Sequence, residues 1–327
     1  MRYRRVWVRA VLAGVLVVLL TACAGQQATP APAAPLRFAW TYREGDYTLL
    51  LAQQMGLFQR YGVNVEPVLY DSYSQARADM VAEVIDGGIF PIGDLLLMAS
   101  KTDLQGVFVS DNGGIAAVVA AAEIGNVRDL RGKRIGVTLH TSSEMFISYM
   151  LETAGLTSRD VTLIEMKPQD VPASIPEVVD AGFVVEPYTS QAMRQGLRLL
   201  YSSERYGSLL PNLIVFRQRV VQEQPQRVRA FVRAWNEAAA YRIAHPQEAS
   251  AILEQVTGRP ARELGLSGTV TFYTLEDNRR FFAENPGLDP GSIYYVAQRN
   301  LYFLTSLGDI SQPLDLNTLL NPSFLQE

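Results

Sequence analysis

Residues 36–69 read LRFAWTYREGDYTLLLAQQMGLFQRYGVNVEPVL. Leu36–Trp40 predicts a short strand, and Asp46–Gln54 predicts a helix with Asp46 as its N-cap. Gly56-Leu57-Phe58 ends that helix, and Tyr61-Gly62 leads into a second strand, Val63–Leu69. A strand, a helix and another strand form the repeating unit of an α/β layer with a mostly parallel sheet. The alternation continues through helix Ala76–Ile85, strand Gly87–Phe90, helix Asp94–Ser100 and strand Gln105–Ser110. A second unit opens with the apolar run Ile115–Ala121. It proceeds through a helical turn at Val127–Leu130, strand Arg134–Thr138, helix Ser142–Thr153 and strand Val161–Glu165. Helix Pro172–Val179, strand Ala181–Val185, helix Tyr188–Gln195 and strand Arg198–Ser202 complete it. Thr141-Ser142-Ser143-Glu144 has the form of a capping box, and Gly155 is a natural stop. Asn212–Phe216 predicts a strand that returns to the first unit. Beyond it the pattern is helical, with Val228, Phe231, Val232, Trp235, Ala239 and Ile243 at helical spacing. No short-period repeat is visible, but a strand–helix–strand unit recurs in each half.

Upstream of Leu36 the chain changes character. Arg2, Arg4, Arg5 and Arg9 precede an uncharged apolar run, Ala10–Leu20, that is far shorter than the roughly 20 residues of a membrane-spanning helix. A signal peptide fits better. Leu20-Thr21-Ala22-Cys23 resembles a bacterial lipobox, which implies cleavage before Cys23 and a lipid on its thiol. Cys23 is the single cysteine among 327 residues, so an internal disulfide and a cysteine metal site are both excluded. Ala24–Pro35 (AGQQATPAPAAP) is too small and polar to offset its ordering entropy and reads as a tether. Removing residues 1–22, with four arginines and no acids, takes the formal charge from −4 to −8. A chain of that balance with no basic run is a poor partner for nucleic acid.

Four segments resemble one known family. Gly56-Leu57-Phe58 with Gly62-Val63-Asn64-Val65 is similar to the opening of type II periplasmic binding proteins. The branch it resembles handles nitrate, alkylsulfonates, thiamine pyrimidine precursors and riboflavin. Ile85-Asp86-Gly87-Gly88 with Gly93-Asp94, the stretch Asp129–Val137 (DLRGKRIGV), and Asp180-Ala181-Gly182-Phe183 followed by Glu186-Pro187-Tyr188 resemble that branch in the same order. The resemblance implies two α/β lobes with mixed, mostly parallel sheets, joined by two crossing strands, with a ligand between them. The crossings are expected near Val118–Ala121 and Leu213–Phe216. Residues 1–22 would be the leader and 23–35 the lipidated tether. Lobe one would be 36–117 plus 216–327, and lobe two 118–215. The implied role is a monomeric lipoprotein on the extracytoplasmic side of the cell membrane, passing its ligand to an ABC permease and its ATPase.

In parallel α/β sheets, ligands gather at the carboxyl ends of strands. That rule selects Trp40, Tyr42, Asp46 and Tyr47, then Asp71 and Tyr73, then Asp94, Asn112, His140, Thr141 and Ser142, and finally Glu186 and Tyr188. These loops are rich in rings and carboxylates, and Arg43 is the only guanidinium among them. An oxyanion needs cations or several amide donors, whereas tyrosine and tryptophan rings stack on a flat heteroaromatic ligand. Carboxylates can accept from its N–H and hydroxyl groups. Riboflavin is therefore favoured, with a thiamine pyrimidine second and alkylsulfonate or nitrate as the remaining alternatives. Packing competes with binding throughout: Trp40 ends a strand, Tyr47 and Tyr73 could simply cover a lobe, Thr141 and Ser142 are needed as caps, and Glu186 could serve a turn.

Catalysis has little to stand on. Only two histidines, His140 and His245, are present, with no nucleophile–base order, phosphate loop or metal-ligand spacing. No cofactor or metal is expected. An enzyme of this fold that builds the thiamine pyrimidine carries a cysteine-rich motif, which this chain lacks. A ligand-sensing lipoprotein would share fold and anchor with an importer subunit.

Overall fold

The computed structural model describes residues 34–112, 114, 116–203, 210–261, 263–266, 268, 270–283 and 291–326. The leader, Cys23 and nearly all of the tether lie outside them. Two five-stranded sheets organise the described residues. The first contains β1 (Leu36–Trp40), β2 (Val65–Leu69), β3 (Gly87–Pro91) and β4 (Leu104–Asp111). The second contains β5 (Ala117–Ala120), β6 (Arg134–Val137), β7 (Thr162–Glu165), β8 (Ala181–Val184) and β9 (Arg198–Ser202). The last strand, β10 (Asn212–Arg217), belongs to the first sheet.

The strand orders are β2-β1-β3-β10-β4 and β7-β6-β8-β5-β9. In each sheet three neighbours run parallel, and the fourth strand, β10 or β5, is antiparallel to both of its partners. The two halves therefore share one topology, and in both the antiparallel strand is the one the chain enters on crossing from the other half. The crossings expected near Val118–Ala121 and Leu213–Phe216 fall just before those segments. Val118–Ala120 pairs wholly inside the second sheet, and Leu213–Phe216 wholly inside the first. The chain passes between lobes before Ala117 and before Asn212. Below, lobe one denotes the half built on the first sheet and lobe two the half built on the second.

Strands β3, β4, β5 and β8 are buried on both faces because helices cover them, while β2, β7 and β9 keep exposed residues. Helix α1 (Tyr47–Gln54) follows β1, α2 (Tyr73–Val81) follows β2, and α3 (Ile92–Ala99) follows β3. In lobe two, α4 (Ser142–Thr153) follows β6 and α5 (Tyr188–Arg194) follows β8. The long helix α6 (Pro225–Ala244) begins with proline, whose missing N–H costs nothing in the first turn. It lays Val228, Phe231, Val232, Trp235 and Ala239 into the lobe-one core. Phe231 meets Phe38 at 4.5 Å and Phe58 at 5.1 Å between ring centroids. Burying each such ring contributes roughly 1.5–3 kcal/mol, so Trp235 is core, as its helical spacing predicts. Helix α7 (Pro246–Thr257) packs near α1, and α8 (Ile293–Leu307) packs along α3 and α4. No helix among the described residues is long and apolar enough to cross a membrane.

Helices expected at Ala76–Ile85 and Pro172–Val179 instead span Tyr73–Val81 and Val171–Ser174, and two capping expectations change. Asp46 makes no side-chain cap for α1; its carboxylate turns back to accept from Thr41 N and Thr41 Oγ1, both at 2.8 Å. At α4, Thr141 Oγ1 accepts from Ser143 N at 3.1 Å, as a cap should. Glu144, however, reaches past Thr141 to accept from His140 N at 2.6 Å, so the reciprocal box is not closed.

Candidate functional site

A cavity of about 410 Å³ lies between the lobes. Lobe one supplies the loop after β1 (Thr41–Gly45), the segment after β2 (Tyr70–Ser74), Asp94 and Asp111. Lobe two supplies Thr138, Thr141–Ser143, Glu165, Lys167–Gln169 and the segment from Val185 to Tyr188. These are chiefly the carboxyl ends of the parallel strands, where side chains from adjacent loops converge. A second, larger concavity of about 840 Å³ runs along α4, α8 and residues 314–317. The interlobe cavity is the better site on chemistry. Two of its lining residues hold buried polar atoms without a hydrogen-bond partner among the described residues, Arg43 Nε and Ser142 Oγ. Buried donors left open in a native fold call for an explanation, and a ligand is one.

Of the residues selected from the sequence, Tyr42, Asp71, Tyr73, Asp94, Thr141, Ser142, Glu186 and Tyr188 line the cavity. Tyr42 is half-buried, with the Arg259 guanidinium carbon 3.8 Å from its ring centroid. Tyr73 donates its hydroxyl to Asp94 Oδ2 at 2.6 Å, and Arg43 stands 5.4 Å from its ring centroid. Burial, with Asp94 close by, pushes the Tyr73 phenol well above its ordinary range. Glu186 accepts from Ser190 N at 3.3 Å and Ser190 Oγ at 3.0 Å, which fixes its carboxylate at the start of α5. Asp71 is exposed at the mouth.

Five selected residues do not line it. Trp40 is only 8 % exposed and packs its ring against Tyr42 and Tyr47, because the last residue of β1 faces the covering helix α1. Tyr47 is fully buried in the same cluster. Asp46 is buried and is held by Thr41 and by Arg43 Nη2 at 2.7 Å. Asn112 uses its side-chain oxygen on Gly114 N at 2.9 Å and Thr271 N at 3.0 Å, a structural duty at the crossing. His140 adopts φ 55°, which turns its ring outward to Asp309 at 3.1 Å.

The cavity is also more cationic than its loops imply. Arg43, Lys167 and Arg259 line it, against six carboxylates: Glu44, Asp71, Asp94, Asp111, Glu165 and Glu186. Arg43 donates to Asp46, to Ile89 O at 3.0 Å and to Asn212 Oδ1 at 3.4 Å. Burial works against its charge, yet Asp46, Tyr73 and Asp111 together hold it above the ordinary guanidinium range. Asp111 accepts from Asn212 Nδ2 at 2.6 Å and from Ser110 Oγ at 2.7 Å. A Cβ on Gly45 would stand 2.6 Å from Asp111 Oδ2, so glycine is required for the loop after β1 to seat against that carboxylate. Behind this floor, Arg242 donates to Glu44 O at 2.7 Å. Burial pushes its guanidinium down to about 10, against the pull of Glu44 and Asp111. Glu165 ends β7, so the strand-end rule reaches it. Asn212 escapes that rule because β10 is antiparallel and meets the cleft by its amino end. No group of three or more His, Cys, Asp or Glu side chains suited to a metal gathers among the described residues.

The two like-ordered mixed sheets and the cleft between them define a type II periplasmic-binding-protein fold. The alkanesulfonate-binding protein SsuA from Xanthomonas axonopodis pv. citri, solved bound to MOPS, superimposes with a TM-score of 0.72 at 20 % identity, over 90 % of this chain and 100 % of that one. The chain belongs to the NMT1/THI5 like family, which it matches over residues 47–249. A protein of Brucella abortus (strain 2308) described as a binding protein is 26 % identical over 204 residues, 61 % of this chain and 63 % of its own length. The match thus spans just under two thirds of that relative. Riboflavin-binding protein RibY of Chloroflexus aurantiacus is 23 % identical along 97 % of both chains.

Proposed function

We propose that this protein is the solute-binding subunit of an ABC importer, anchored on the extracytoplasmic side of the cell membrane by a lipid on Cys23. Its cleft takes a small heteroaromatic vitamin, riboflavin before a thiamine pyrimidine. The observation that carries the ligand class is the lining itself. Four tyrosine rings, Tyr42, Tyr70, Tyr73 and Tyr188, stand among carboxylates that outnumber the cations six to three. Such walls favour a flat, uncharged molecule rich in N–H and hydroxyl groups over an oxyanion. The likeness to a riboflavin-binding protein along nearly the whole chain supports the same reading. Delivery to a permease after hinge closure follows from the two-lobed design. A fold of this kind is compatible with catalysis, but the described cleft holds no nucleophile paired with a base, which favours binding.

The test is titration of residues 24–327 into riboflavin while following flavin fluorescence. Saturable quenching in the micromolar range or tighter is expected. No quenching, together with a melting temperature raised by an alkanesulfonate or nitrate, would overturn the flavin assignment. Metabolic labelling with palmitate, lost in Cys23→Ser, tests the anchor.

A further inference from the structure

Asp94 lies in the first turn of α3 in lobe one and is 1 % exposed, yet its Oδ1 accepts the Ser142 backbone N–H of lobe two at 3.1 Å. Its Oδ2 takes the Tyr73 hydroxyl, and Arg77 Nε stands 3.8 Å from Oδ1. Ser142 is the first residue of α4, a helix of 12 residues. The carboxylate is therefore seated on a helix N-terminus, where free N–H groups and the helix dipole favour negative charge. Gly93 permits the approach, since a Cβ there would stand 2.9 Å from Ser142 Oγ. That hydroxyl is buried and has no hydrogen-bond partner among the described residues. A helix N–H and a guanidinium thus meet on one carboxylate. They are the equipment for holding an oxyanion, and the protein's own carboxylate occupies it.

We propose that Asp94 determines specificity by acting as a resident anion. It fills the oxyanion seat at α4 and turns away solutes that would bring a sulfonate, phosphate or carboxylate to that point, leaving the cleft to neutral or cationic molecules. A second anion there would face a buried like charge whose counter-cation is already engaged. The inference rests on the interlobe cleft being the ligand site and not on riboflavin being the ligand.

The experiment is thermal denaturation of the purified protein with sulfate or hexanesulfonate, against chloride at matched ionic strength. The wild type is expected to show no rise in melting temperature with either anion. Asp94→Ala, with the seat opened beside Arg77 and Ser142, is expected to gain several degrees. Stabilisation of the wild type by hexanesulfonate overturns the proposal, and so does a folded Asp94→Ala that neither anion stabilises. If alanine prevents folding, Asp94→Ser opens the same seat while keeping a hydroxyl for Tyr73, and its response is judged alike. A wild type that refuses both anions and also fails to quench riboflavin would sink the flavin assignment and leave this inference standing.

Discussion

The Arg259 guanidinium carbon stands 3.8 Å from the centroid of the Tyr42 ring. Tyr42 comes from the loop after β1, and Arg259 lies just beyond Gly258, the left-handed cap of α7. The cation covers the ring beside the cleft, so Tyr42 is held in place while remaining half-exposed. Tyr42→Ala should weaken riboflavin binding about fivefold, given the 0.5–1.5 kcal/mol typical of a ring stack. The melting temperature should stay within a degree or two. Fluorescence titration and thermal denaturation on the same samples check both halves.

Trp40 should behave in the opposite way. Its indole is buried against Tyr42 and Tyr47, so Trp40→Ala opens a cavity under α1. A loss of about 3–5 kcal/mol in urea unfolding is expected. Near-normal stability with lost riboflavin binding would place the ring in the site after all.

Arg43 and Asp46 form a pair at 2.7 Å in which the acid side chain is 2 % exposed. Removing the cation strands a buried carboxylate that Thr41 alone would then solvate. Arg43→Met should cost about 3 kcal/mol or more, whereas the double change with Asp46→Asn should recover part of that loss. A denaturant double-mutant cycle measures the coupling.

Asp180 supplies a pH prediction. It accepts from Arg134 N at 2.7 Å, Nε at 3.2 Å and Nη2 at 3.0 Å. The Arg134 side-chain bonds hold its carboxyl below the usual carboxylate range. The stabilisation is therefore complete above the unfolded value near 4 and is lost as pH falls through the lower folded value. Asp180→Asn should cost about 1 kcal/mol at neutral pH and flatten the decline in stability below about pH 4. Melting temperatures from pH 7 down to pH 3 decide it, and parallel curves for the two proteins would refute the assignment.

Local signals were readable in the chain and distant ones were not. Helix α4 keeps the bounds Ser142–Thr153 because its cap, Thr141, and its stop, Gly155, are neighbours in sequence. The strands were legible from short apolar runs between turn residues, and those runs also located the strand-end loops that build the cleft. Errors arose where a side chain's direction depends on packing. Trp40 and Tyr47 flank the loop after β1, one ending the strand and the other opening α1, but their rings pack against each other. Asp46 has the residue type of a cap, yet Thr41 and Arg43 offer its carboxylate more bonds. His140 is turned aside by a left-handed backbone that only the folded turn reveals. Arg259 carried no local mark, since it meets Tyr42 only after α7 has packed near α1.

Contacts with lobe one flank the first residue of α4 on both sides. Arg77 Nη2 donates to His140 O at 3.3 Å, and the His140 ring meets Asp309. Tyr149 donates to Arg299 O at 3.4 Å and stacks on Phe303 at 4.9 Å. The two halves are thus joined along one flank by these contacts, and any parting of the lobes on that side has to break them. On the proposed reading, a bound solute would then add its own contacts to a closure that the protein's side chains already hold.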